Sequence, residues 1–131
     1  MRHDTLEMVI EALASTMDVW VADVLPPADQ LDPSRCFVVV DEMPGTEHVP
    51  WGGFGPGLSV VALDVDVYGP SRAQTRKVRA RVHQMLMGLP AQSWSGVTRV
   101  IVDSSFHSRP DLNPNIRRVG AEYSLMVHSG T

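Results

Sequence analysis

Residues 58–69 read LSVVALDVDVYG, and residues 70–90, PSRAQTRKVRARVHQMLMGLP, follow without a break. The first stretch has the period of a β-strand: Val61, Leu63, Val65 and Val67 share one face, because successive side chains point to opposite sides. The other face carries Val60, Ala62, Asp64, Asp66 and Tyr68, so the strand has one fully apolar side and one that turns acidic toward its end. The second stretch has the period of a helix. Pro70 and Ser71 suit its first turn, and Gly88 with Pro90 ends it. Val78, Val82, Met85, Leu86 and Leu89 form its apolar stripe, and Arg72, Arg76, Lys77, Arg79 and Arg81 occupy the remainder. A long one-sided strand running straight into an amphipathic helix predicts a sheet with a helix laid on its apolar face.

The rest of the chain supplies more strands than helices. Leu6, Val9, Ile10, Leu13 and Met17 recur at helical spacing, with Asp4 in capping position and Glu7 three residues on, which predicts a helix at about 4–16. DVWVADVL (18–25) reads as a short strand and PPADQLDPS as a loop. CFVVVDE (36–42), VTRVIVDSSF (97–106) and IRRVGAEYSLMVH (116–128) read as further strands. The polar HSRPDLNPN between the last two predicts a hairpin with a long tip. The order is α-β-β-β-α-β-β. Runs of consecutive strands favour an α+β fold: one mainly antiparallel sheet packed with two helices, with a long hairpin arm at about 43–57. At 131 residues the chain is expected to form one domain, 1–131. No apolar run is long enough to span a bilayer, and the N-terminal stretch carries acids within its apolar pattern, unlike a signal peptide.

Residues 43–57, MPGTEHVPWGGFGPG, hold five glycines and three prolines. A phosphate-cradling loop leads from a strand into a helix. Here strands lie on both sides, and no Lys-Ser or Lys-Thr pair follows the glycines. The stretch therefore reads as a hairpin loop bearing Val49, Trp51 and Phe54. Aromatics dominate interface hot spots, so these three residues are candidate anchors of a protein-binding arm. The alternative is that Trp51 and Phe54 fold back onto their own domain.

Catalytic patterns are missing from the sequence. The five histidines show no HxH, HxxxH or HExxH spacing, and Cys36 is the lone cysteine, so no metal or cofactor is expected. Asp41, Glu42, Asp64 and Asp66 lie on neighbouring predicted strands. They read as a solvated or interface surface, with a small metal-dependent hydrolase using Asp41, Asp64, Asp66 and a histidine as the enzymatic alternative. There is no GxSxG elbow, and Ser104 and Ser105 near His107 form no recognisable triad. The expectation is that the protein is not an enzyme. The net charge of −4 argues against gripping nucleic acid. Positions 76 and 77 lie about 100° apart on a helix, which spreads the arginines over a broad arc. A basic helix face (Arg72, Arg76, Arg79) and an acidic strand face (Asp64, Asp66) in one chain are complementary, and such heterologous complementarity can close a ring.

Taken together, these segments resemble the tail terminator (tail-completion) proteins of long-tailed bacteriophages. The N-terminal amphipathic helix leading into a short strand is similar, and PSRCFVVVDE resembles the family's Pro-x-x-apolar second strand. ALDVDVYGPSRAQTRKVRARVHQMLMGL resembles its strand, turn and helix, and RRVGAEYSLMVH its closing strand. The 43–57 arm is longer and more aromatic than the family pattern. The resemblance implies a structural virion protein of the phage tail or neck, assembled in the host cytoplasm. Six copies would form a ring that caps the tail tube, ends its growth and meets the head connector or stopper protein. DNA would pass through without specific binding. Asp64, Asp66, Arg72, Arg76 and Arg79 are then inter-subunit or lumen candidates. Another neck or tail component, a stopper or tube subunit, is the neighbouring alternative.

Overall fold

Two capped helices and five strands account for most of residues 4–43, 58–111 and 113–128, which the computed structural model describes. Helix α1 (Thr5–Thr16) starts where the sequence places it: the Asp4 carboxylate accepts a hydrogen bond from the Glu7 amide at 3.3 Å. Helix α2 (Arg72–Met87) starts at Ser71, whose hydroxyl accepts from the Gln74 amide at 3.2 Å, and a 3-10 turn at Leu89–Ala91 follows it. Each cap satisfies one of the amides that a helix leaves unpaired at its start.

The strands are β1 (Trp20–Ala22), β2 (Phe37–Glu42), β3 (Leu58–Gly69), β4 (Val97–Arg109) and β5 (Arg117–His128). They form one sheet in the order β1-β2-β3-β5-β4. Every pairing is antiparallel except β1 with β2. The architecture is the α+β arrangement expected, in the order α-β-β-β-α-β-β. Two boundaries differ. β1 keeps three residues of the expected eight, because β2 offers it a parallel register of only three pairs, Trp20 with Phe37 to Ala22 with Val39. β4 continues through His107, Ser108 and Arg109, taking Gly120, Val119 and Arg118 as partners, so the β4–β5 tip is shorter than the sequence suggests. The arm expected at about 43–57, with Val49, Trp51 and Phe54, lies from residue 44 on outside the described residues; β2 and β3, which flank it, pair antiparallel.

One sheet face holds the core. Val38, Val40, Val61, Leu63, Val65, Val67, Ala121, Tyr123 and Leu125 are fully buried there. They pack against Val9 and Leu13 of α1 and Val82 and Leu86 of α2. Each such aliphatic side chain contributes about 1.5–3 kcal/mol relative to exposure. α1 lies over β1 and β2, and α2 over β3, β5 and β4. Arg81 ties the two helices: its Nη2 donates to the Thr16 carbonyl at 3.2 Å, supplying a cation to the end of a helix that has no basic residue in its last turn.

Candidate functional site

The alternation of β3 sends Asp64, Asp66 and Tyr68 to the face away from the helices. Asp66 is 5% exposed there, and a buried carboxylate must be paired. Two arginines from the β4–β5 hairpin pair it. Arg118 forks onto Asp66, with Nε to Oδ1 at 3.1 Å and Nη2 to Oδ2 at 2.9 Å. Arg109 reaches both acids, with Nη1 2.9 Å from Asp66 Oδ1 and Nη2 2.9 Å from Asp64 Oδ1. Hydrogen bonding to Asp64 raises the Arg109 pKa further above its usual value, and hydrogen bonding to Asp66 does the same for Arg118. Arg118 also lies 5.5 Å from the centre of the Tyr68 ring, which stacks on Phe37 at 4.7 Å.

Gly120 makes this arrangement possible. Arg109 starts on β4 and has to cross β5 to reach β3. A Cβ at Gly120 would lie 2.3–2.5 Å from Arg109 Nε, Cζ and Cδ. A glycine inside a strand where another group approaches closely is a recurring device.

Asp64 and Asp66 are thus joined within their own chain. Asp64 keeps about a third of its side chain exposed (34%) and Asp66 little (8%). Asp64 also sits directly between Asp41 on β2 and Glu122 on β5, in a row of three carboxylates across three strands. Asp41, Glu42, Asp64 and Glu122 line a shallow concavity together with Arg109 and Arg118. Neither this row nor any other group of three or more His, Cys, Asp or Glu among the described residues is arranged so that it could hold a metal ion.

Arg72, Arg76 and Arg79 meet on the other side of the Arg109–Arg118 pair. Spaced i, i+4, i+7, they share one face of α2, which the broad-arc expectation did not anticipate; Lys77 and Arg81 point elsewhere. With Arg109, Arg117 and Arg118 they line a cleft of about 660 Å³ between α2 and the β4–β5 tip. No carboxylate among the described residues lies within ion-pair distance of Arg72, Arg76, Arg79 or Arg117. Sequence reasoning found the three helical arginines but not Arg109, Arg117 and Arg118. Their proximity depends on hairpin pairing 30 to 46 residues away along the chain; Gly120 within an apolar strand was the available signal.

The histidines near hydroxyl groups make these contacts. His107 Nδ1 lies 2.9 Å from the Ser105 carbonyl, to which it donates, and 3.5 Å from Ser104 Oγ. A nitrogen donating to a carbonyl cannot take a proton from the serine. His83 Nδ1 lies 2.8 Å from the hydroxyl of Tyr123, whose pKa burial pushes up to about 12.

No family model matches the chain, and no curated protein matches it either. Among solved structures it is similar to a chain of the virion of a native gene transfer agent (GTA) particle, with 17% identity and a TM-score of 0.56 over 95% of this chain and 92% of that one. At this identity the likeness shows a shared fold, end to end.

Proposed function

We propose that this chain is a structural virion protein, of the tail-terminator kind. In this reading six copies form a ring that caps the finished tail tube, stops its growth and joins the tail to the head connector or stopper. DNA passes through without being read, and the protein is a component of the virion's tail or neck. The observation that carries the reading is the fold shared with a chain of a virion particle along nearly the whole length of both. Segments spaced along the chain resemble the terminator family, and its surface charges are unevenly placed, as in a subunit that docks. Asp66, buried and paired, acts in this account as an internal brace, while Asp64 keeps some charge for a lumen or neighbour.

In the same reading Val49, Trp51 and Phe54 anchor the arm on a partner. The test replaces Trp51 and Phe54 with Ala and follows the length of tail tubes assembled with the protein. The wild type yields tubes of uniform length with capped ends. The double variant keeps its melting temperature and fails to cap, since interface anchors contribute about 2 kcal/mol or more each. A large melting shift with capping intact contradicts the anchor role, because loss of a core aromatic costs about 3–5 kcal/mol. Tubes of unregulated length with the wild type contradict the terminator reading and favour another neck or tail component.

A further inference from the structure

The charges of this chain are segregated along the sequence and across the sheet. Residues 4–34 contain seven acids and no Lys or Arg. Residues 72–118 contain nine of the eleven bases and two acids. The fold puts these blocks on opposite flanks. The first block is α1, β1 and most of the loop to β2, a loop that ends with the exposed Arg35, and it lies toward the β1 edge of the sheet; the second includes β4 at the other edge and α2, which lies over β3, β5 and β4 and touches α1, with the arginine cleft between α2 and the β4–β5 tip. All seven acids of the first flank are exposed. Glu7 and Glu11, four residues apart, share a face of α1, and Asp18 follows just beyond its end. The same flank exposes Trp20 and Leu25, at 42% and 51%. On the opposite flank, four arginines of the cleft lack a carboxylate partner among the described residues.

We propose that the arginine cleft is the docking site for the acidic α1–β1 flank of a second copy of this chain, with Trp20 as the apolar contact beside the charges. The proposal rests on the ring reading above and names the surfaces through which it would close. Basic and acidic flanks on opposite edges make a heterologous contact, which repeats from copy to copy and closes when the rotation fits. An arginine fork donates to both oxygens of one carboxylate, so Arg72, Arg76, Arg79 and Arg117 together can pair with several acids of that flank. A nucleic-acid backbone fits less well. A duplex running past the cleft meets the carboxylates of the neighbouring concavity, Asp41, Glu42, Asp64 and Glu122. The complement of a surface with both signs side by side is another protein surface.

Charge reversal tests the pairing. Arg72→Glu with Arg76→Glu makes both flanks acidic, and Glu11→Lys with Asp18→Lys turns the acidic flank toward basic; all four positions are exposed. Circular dichroism and melting temperature confirm that each variant folds. In sedimentation at low salt the wild type self-associates, each variant alone stays monomeric, and an equimolar mixture associates again. Salt near 1 M, where the Debye length is about 3 Å, suppresses all of these associations. Wild-type assembly that both variants retain overturns the flank pairing and leaves the ring reading standing. A cleft variant that fails while the acidic-flank variant assembles also overturns it, as does a mixture that stays monomeric. Wild-type binding to duplex DNA that the cleft variant loses assigns the cleft to nucleic acid instead. A wild type that is monomeric even with tail tubes removes the ring reading itself.

Discussion

The buried carboxylate of Asp66 sets the chemistry of the face away from the helices. It is satisfied by two guanidinium groups that come from distant sequence, and one of these crosses a neighbouring strand over a glycine. Gly120→Ala should therefore push Arg109 off Asp64 and Asp66. Leaving a buried charged group short of a partner costs about 1–3 kcal/mol. In urea unfolding Gly120→Ala should lose about that much, and adding Arg109→Ala should cost little more, since both changes remove one interaction. Strictly additive losses would contradict the bridge. A second residue-scale prediction concerns Tyr123. Burial holds its pKa at about 12, above the usual value of 10. The neutral phenol is the form that the fold favours. Its stabilisation is thus fully present below pH 10 and is lost as the pH rises from about 10 through about 12. Tyr123→Phe should remove that part of the alkaline loss in a series of thermal melts; an unchanged pH profile would contradict it.

At the level of elements, local chemistry decides most boundaries. β3 and α2 were legible because each carries its period over a dozen residues or more with a cap or breaker at its ends. Ser71→Ala should cost about 1 kcal/mol through the lost cap of α2, a melting shift of about 4 °C in a chain of this size. No shift by calorimetry would mean that the cap is replaced by water or Gln74. Other boundaries depend on distant partners. β1 shrinks because its parallel neighbour pairs with only three residues. β4 lengthens because Arg118, Val119 and Gly120 lie opposite His107, Ser108 and Arg109; HSR by itself looks like loop. The arginine cleft was half legible for the same reason: α2 displays three of its members at i, i+4 and i+7, and hairpin pairing brings the other three.

At the scale of the whole molecule, a one-sided sheet carries both helices on one face and an internal ion cluster on the other, and opposite edges differ in charge. The reading of a tail-closing ring is tested most directly by native mass, measured for the protein alone and with tail tubes, at low and high salt. Six copies of the 14.4 kDa chain weigh about 86 kDa. The account predicts a species near that mass, alone at high concentration or on tube ends, that recedes as salt is raised. A 14.4 kDa monomer under every condition, with tubes present and their ends bare, would contradict it.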